Sequence, residues 1–142
     1  MMNLNQDSMP KKILVADDEE HIVSFLSVVL KKEGFEVVAA YDGEEAKEKF
    51  NSEHPDLVLL DLDMPIVNGW QFLAWLRKEG NLSTPVIIVS GRDQMSDIKS
   101  GYEFEADYYL VKPLNIKDIL KGIAIVSSLK SQSRNGNDSP EI

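Results

Sequence analysis

Two groups of carboxylates each stand directly after an apolar run of the chain. Asp17 and Asp18 follow the first run, and Asp61 and Asp63 follow the third. Either group alone indicates little, because acidic residues often cap a helix or interact favourably with its N-terminal dipole. If the two runs are neighbouring strands, however, Asp17, Asp18 and Asp61 converge in one pocket. One of these carboxylates would then take up a proton unless a hard divalent cation such as Mg²⁺ (or Mn²⁺) offset the charge.

A hydroxyl and an ammonium group follow two later apolar runs. Ser90 ends the fourth run, and Lys112 follows the fifth, directly before Pro113. A Ser at such a position usually reflects turn chemistry, and a Lys usually marks a solvated strand end. On one rim with the carboxylates, the two groups would instead hold the oxygens of a transferred phosphoryl group. A carboxylate, a bound cation and these donors together suit phosphoryl transfer, in which positioning and charge neutralisation supply most of the catalysis.

The elements that must position these residues are short apolar runs separated by segments with helical spacing. The runs are continuous rather than alternating, which is typical of strands buried on both faces of a parallel sheet. Strands are predicted at residues 13–16, 37–40, 57–60, 86–89 and 109–111, and helices from Ile22 towards Gly34, from Asp42, over 69–79, over 94–104 and after Asn115. This alternation predicts an α/β, flavodoxin-like, doubly wound fold, (βα)5 in chain order, with a five-stranded parallel sheet and three layers. Ligands of such folds bind at the carboxyl ends of the strands, near the point where the strand order reverses.

Composition and charge restrict both the number of domains and the classes of function. The 142 residues suffice for one domain. The net charge of −9 argues against direct contact with nucleic acid. No apolar run reaches the roughly 20 residues of a membrane span, and the absence of Cys fits a reducing cytoplasm. We therefore expect a cytoplasmic protein with a flexible leader at 1–10, one domain at 11–130 and a polar tail or linker start at 131–142.

The motifs at the predicted strand ends resemble those of the receiver domain of two-component response regulators, in the CheY-like superfamily. The resemblance covers roughly residues 11 to 129, which is nearly the whole chain. It rests on Val15-Ala16-Asp17-Asp18-Glu19, Leu60-Asp61-Leu62-Asp63-Met64-Pro65 with Asn68-Gly69, Val89-Ser90-Gly91, and Ala106-Asp107-Tyr108-Tyr109-Leu110-Val111-Lys112-Pro113. One such motif alone would be weakly specific, but here they occur in order and each stands at a predicted strand end.

The resemblance implies a phosphorylation-controlled signalling switch rather than a turnover enzyme. Asp61 would accept a phosphoryl group from a phosphohistidine of a sensor histidine kinase or a phosphotransfer protein, forming an aspartyl phosphate. Mg²⁺ would be bound by the side chains of Asp18 and Asp61 and by the backbone carbonyl of Asp63, with the side chain of Asp17 acting directly or through water. The protein would assist its own phosphorylation and dephosphorylation without multiple turnover.

The same resemblance implies how the signal is passed on. Ser90 and Lys112 would hold the phosphoryl oxygens, and Tyr109 would move with Ser90 as an aromatic switch, unless it only covers the sheet edge. The output would be protein contact through the face formed by the predicted fourth helix, fifth strand and fifth helix, with homodimerisation on phosphorylation as a further expectation. The resemblance also implies a cis peptide bond before Pro113, and Glu105 stands where the family commonly has Gly.

The main alternative is a haloacid-dehalogenase-type phosphatase, whose first motif is similar to Asp61-Leu62-Asp63. That family has an acidic metal-binding pair after its Lys, whereas Asp17-Asp18 comes before Lys112 here. A flavin or nucleotide binder would carry glycines or hydroxyls in the first strand–helix turn, where this chain has acids. A scaffold that is never phosphorylated would lack part of the set of acids, hydroxyl and Lys. A receiver fragment of a longer regulator is an alternative to a single-domain protein.

Overall fold

The computed structural model describes residues 9–79, 83–91 and 105–136 of the chain. Its sheet contains five strands: β1 (Lys12–Ala16), β2 (Glu36–Ala40), β3 (Leu57–Asp61), β4 (Val86–Ser90) and β5 (Tyr108–Val111). Neighbouring strands all run parallel, in the order β2-β1-β3-β4-β5. The predicted flavodoxin-like, doubly wound sheet is therefore confirmed. Its strand order reverses between β1 and β3, where ligands of such folds bind.

The helices accompany the sheet as the apolar spacing predicts. The described part of the chain contains α1 (Glu20–Lys32), α2 (Gly43–Glu53), α3 (Gly69–Lys78) and a C-terminal helix (Ile116–Gly136). The helix predicted over 94–104 lies outside the described residues. Two predicted caps are confirmed, because Asp42 Oδ1 accepts from the N–H of Glu45 at 2.7 Å and Asn115 Oδ1 accepts from the N–H of Asp118 at 2.9 Å. None of the helices in this part of the chain combines the length and apolar character needed to cross a bilayer.

The C-terminal helix extends into the segment predicted as a polar tail. The sequence predicts that tail from residue 131, whereas the helix continues to Gly136. Polar side chains do not stop a helix, because each new backbone hydrogen bond adds to a helix that is already nucleated. The residues from Ser131 to Asn135 include neither Pro nor Gly, which are the strong helix breakers. The helix therefore occupies the first part of the predicted tail.

Both faces of the sheet are buried, which explains the continuous apolar runs. Alternate residues of a strand point to opposite faces. Leu14 and Leu60 thus join one core cluster with residues of α2 and α3, whereas Ile13 and Leu59 join a second cluster with residues of α1 and the C-terminal helix. The three predicted layers are confirmed, and strands β1 and β3 are apolar on both faces up to their carboxyl ends.

The backbone at the two ends of β5 has special geometry. Glu105 adopts a left-handed conformation with φ of 66°, which is unfavourable for a residue that has a side chain. Arg77 stabilises this turn by donating to the carbonyl oxygen of Glu105 from Nε at 3.2 Å and Nη2 at 2.8 Å. At the other end of the strand, the peptide bond between Lys112 and Pro113 is cis, as the resemblance implies.

Candidate functional site

Three carboxylates meet at the carboxyl ends of the neighbouring strands β1 and β3. Asp61 is the last residue of β3, and Asp17 and Asp18 directly follow β1. Because Ala16 lies beside Leu60 in the parallel register, both strands end at the same level. Carboxylate oxygens of the three Asp side chains lie within 4.8 Å of one another. Asp17 and Asp61 are buried and Asp18 is exposed, so the group opens to solvent on one side.

Burial and mutual repulsion perturb the ionisation of this group. Burial raises the pKa of Asp61 to about 7, and the negative charge of Asp17 adds to the rise, while Lys112 opposes it. Burial also raises the pKa of Asp17, against the hydrogen bond of 2.9 Å that it accepts from the N–H of Glu19. Clustered carboxylate oxygens that remain partly open to water are the ligands that a hard divalent cation prefers. The residues at this position therefore fit Mg²⁺ or Mn²⁺.

The ammonium group of Lys112 lies against the same carboxylates. Its Nζ is 2.9 Å from Asp17 Oδ2, 2.7 Å from Glu19 Oε1 and 3.4 Å from Asp61 Oδ1. Burial lowers the pKa of this Lys, but the hydrogen bonds to Glu19 and Asp17 and the charge of Asp61 outweigh burial, so the net shift is upward. The ammonium is thus a permanent positive charge within reach of any oxygen that is added to Asp61.

The remaining predicted site residues lie on the neighbouring strands and the following loop. Ser90 is the last residue of β4, is fully buried and pairs in register with Val111. Its carbonyl oxygen accepts from the N–H of Lys112 at 2.8 Å. Tyr109 is half-buried and packs against the core cluster on the side of α2 and α3, and Asp63 is exposed beyond the end of β3. The switch role of Tyr109 and the carbonyl role of Asp63 stay predictions.

Two glycines hold the loop between β3 and α3 close to the site. The N–H of Gly69 donates to the carbonyl of Leu62 at 3.0 Å, and a Cβ at Gly69 would lie 2.3 Å from the carbonyl oxygen of Asp61. A Cβ at Gly43, the first residue of α2, would lie 1.9 Å from the carbonyl oxygen of Val67. A side chain at either position would have to displace backbone atoms. The start of α2 therefore packs directly on the loop that follows the phosphoacceptor candidate.

Gly43→Ala is expected to lower the free energy of unfolding by about 1–3 kcal/mol, because the added methyl group must displace the carbonyl of Val67. Gly91→Ala is the matched control, since its added Cβ would meet nothing within 4 Å. The control should change stability by less than about 0.5 kcal/mol. Urea denaturation of the two variants and the wild type measures both effects, and equal stabilities of the two variants would contradict the close packing at Gly43.

A comparison with known families gives the general function of the chain. A family model described as the response regulator receiver domain matches residues 13–124. The chain belongs to this family. Receiver domains of response regulators are signalling switches controlled by phosphorylation, and the match includes every strand end described above, from Asp17 to Lys112. The alternative of a haloacid-dehalogenase-type phosphatase is not favoured.

Curated relatives and solved structures agree with this assignment. The receiver domain is 40% identical over 111 residues to the alkaline phosphatase synthesis transcriptional regulatory protein PhoP of Bacillus subtilis (strain 168), which covers 78% of this chain and 46% of the relative. It is 44% identical over 109 residues to the probable transcriptional regulator ycf27 of Cyanophora paradoxa, with 77% of this chain and 45% of the relative covered. The chain thus spans about half the length of the curated relatives it matches.

Two experimental structures show the likeness in three dimensions. The receiver domain of the Francisella response regulator 1452 superposes with a TM-score of 0.78 at 33% identity, over 84% of this chain and 98% of that one. The CheY-like response regulator receiver domain protein from Methanospirillum hungatei JF-1 gives a TM-score of 0.81 at 28% identity, over 87% and 98% of the two chains. Both structures consist almost entirely of the matched fold.

The sequence does not reveal the contact between Glu19 and Lys112. The acidic pattern predicts Glu19 only as a favourable acid near the start of α1, whereas the structure makes it the N-cap, without a side-chain cap hydrogen bond. Glu is not among the preferred N-cap residues, which is a weak signal that its carboxylate has another partner. That partner, Lys112, lies 93 residues further along the chain, and no local sequence pattern predicts a pair with this separation.

Proposed function

We propose that the receiver domain accepts a phosphoryl group on Asp61, from a phosphohistidine of a sensor histidine kinase or of a phosphotransfer protein. The position of Asp61 supports this assignment. Its carboxylate is buried at the end of β3 and lies 3.4 Å from the ammonium of Lys112. Among the described residues, the group formed with Asp17 and Asp18 is the one set of three acidic or metal-ligating side chains close enough to share a metal ion.

The proposed transfer requires an ionised carboxylate beside positive charge. One oxygen of Asp61 attacks phosphorus and forms the new O–P bond, while the P–N bond to the donor imidazole breaks and its electron pair leaves with that imidazole. Mg²⁺ bound by the three carboxylates and the carbonyl of Asp63 would offset the negative charge of the phosphoryl oxygens. Lys112 contributes a second positive charge, and the hydroxyl of Ser90 donates to a further oxygen.

The proposed output is a protein contact rather than the turnover of a substrate, and its proposed location is the cytoplasm. Phosphorylation adds charge at Asp61 that Ser90 and Lys112 hold, and Tyr109 moves with Ser90. This movement biases the predicted output face, which contacts a downstream protein or a second copy of the chain. Of this face, β5 and the C-terminal helix belong to the described part of the chain, and the predicted fourth helix lies outside it. The curated relatives extend well beyond the matched region, which supports the alternative that this domain is part of a longer regulator.

Incubation with acetyl phosphate and Mg²⁺, followed by measurement of the intact mass, tests the assignment. The wild type should gain the mass of one phosphoryl group, Asp61→Asn should gain none, and EDTA should suppress the gain. Asp42→Asn is the matched control, because it makes the same change at the N-cap of α2, where Asn caps about as well as Asp. Incorporation into Asp61→Asn at the wild-type level, or none into the wild type, would refute the assignment. Sustained turnover of a phosphomonoester would instead favour a phosphatase.

A further inference from the structure

Glu19 carries a carboxylate that does not serve its own helix. It is the N-cap of α1, and its carbonyl oxygen accepts from the N–H groups of Ile22 and Val23 at 3.0 and 3.2 Å. Its side chain makes no cap hydrogen bond. The carboxylate reaches Lys112 Nζ instead, at 2.7 Å, which is the shortest of the three carboxylate contacts of that ammonium. The side chain of the N-cap residue of α1 therefore contacts the residue that follows β5, which lies two strands beyond β3.

The ammonium of Lys112 has three hydrogens, and three carboxylates lie within reach of them. Two of these acceptors, Asp17 and Asp61, belong to the group of oxygens that fits a divalent cation. An ammonium held only between these two would occupy the oxygens that the cation requires. Glu19 is the acceptor outside that group, and its carboxylate is half-exposed. The ammonium lies between Glu19 and Asp17, at 2.7 and 2.9 Å, whereas its contact with Asp61 is the longest, at 3.4 Å.

We propose that Glu19 is a positioning residue that shares the ammonium of Lys112 with Asp17 and keeps it at a longer distance from Asp61. In this position the ammonium leaves the oxygens of Asp61 accessible to a divalent cation, and it stays within reach of the phosphoryl oxygens. The proposal rests on the proposed function, because it assigns Glu19 a role in preparing that same site. It predicts that loss of the Glu19 carboxylate weakens cation binding before any phosphoryl group is present.

The substitution Glu19→Gln separates this role from a general loss of negative charge when it is compared with Glu20→Gln. Glu20 is exposed in the first turn of α1, so its substitution removes the same charge one residue further on. Both variants should fold, because both side chains lie at the surface. Lys112→Met removes the ammonium itself and provides the second arm of a double-mutant cycle.

The affinity for Mn²⁺ tests the proposal without any phosphoryl donor. Electron paramagnetic resonance of the free ion measures this affinity. Glu19→Gln should weaken binding roughly three- to fivefold, and Glu20→Gln less than about twofold. In the background of Lys112→Met the two substitutions should have equal effects, because no ammonium remains to be positioned.

Two results would overturn the positioning role of Glu19 and leave the cation site in place. One is equal effects of the two substitutions in the presence of Lys112, and the other is a difference that persists in the background of Lys112→Met. A wild type that binds no Mn²⁺ would overturn the cation site and, with it, the role of Glu19. The role of Asp61 as phosphoryl acceptor is tested separately, by measuring phosphoryl incorporation. The failure of this proposal is therefore distinguishable from the failure of the proposed function.

Discussion

Asp61→Asn will flatten the pH dependence of the stability of the receiver domain when divalent cations are removed. Burial raises the pKa of Asp61 from 3.8 to about 7, so between these values the folded chain binds a proton that the unfolded chain lacks. The free energy of unfolding of the wild type therefore falls as the pH rises through this window. The loss should be on the order of 2–4 kcal/mol, since each pKa unit corresponds to about 1.4 kcal/mol. The Asn variant carries no such proton and should be the more stable protein at about pH 8.

Urea denaturation in EDTA at intervals between about pH 4.5 and pH 8 measures this effect. A smaller slope of the same sign should remain in the variant, because burial raises the pKa of Asp17 as well. Asp42→Asn serves as the control, since it makes the same substitution at a helix cap and should keep the wild-type slope. If the slope in Asp61→Asn equalled that of the wild type, the raised pKa of Asp61 would be the wrong explanation.

The second large effect is expected from Lys112→Met. Met retains an apolar side chain of similar length, but it removes the ammonium that contacts Asp17, Glu19 and Asp61. At about pH 8 without a divalent cation, the two buried carboxylates would then have no positive charge beside them. They would either stay ionised at a cost or take up a proton, since Lys112 lowers the pKa of Asp61 in the wild type. The loss in the free energy of unfolding should approach the roughly 3–5 kcal/mol typical of a broken buried ion pair. Near pH 5 the loss should shrink, because Asp61, with its pKa of about 7, takes up a proton there.

Lys49→Met is the matched control for this substitution. Lys49 Nζ lies 4.0 Å from Glu45 Oε2 in α2 and donates to the carbonyl oxygen of Ala39 at 3.3 Å, so its loss should cost about 1 kcal/mol or less. Urea denaturation of both variants at the two pH values gives the comparison. Equal losses in the two variants, or a larger loss for Lys112→Met near pH 5 than at pH 8, would contradict the role assigned to the ammonium.

Most of the fold could be predicted because burial on both faces of a sheet leaves a direct mark on the sequence. Each of the five apolar runs lies within one of the five strands, since a strand covered on both sides has no polar face to interrupt the run. No local pattern in the sequence predicts the order of the strands in the sheet. The convergence of Asp17, Asp18 and Asp61 therefore depended on the fold class, which places β1 beside β3.

The parts of the site that escaped prediction depend on how distant elements dock. Asp42 could be predicted as a cap from its local sequence, but the close approach of Gly43 to the carbonyl of Val67 exists only once α2 packs against the loop after β3. The pair formed by Glu19 and Lys112 likewise joins the first and last strand–helix turns of the sheet. Such contacts follow from tertiary packing, and no residue type or spacing along the chain predicts them.

The most direct test of the central claim identifies the residue that carries the phosphoryl group. After incubation with acetyl phosphate and Mg²⁺, reduction with borohydride converts an aspartyl phosphate to homoserine, which peptide mass spectrometry can place in the sequence. Homoserine at position 61, and its absence when EDTA is present, is the result that this assignment predicts. Homoserine at position 17, 18 or 63 in place of position 61, or none at any position, would contradict it.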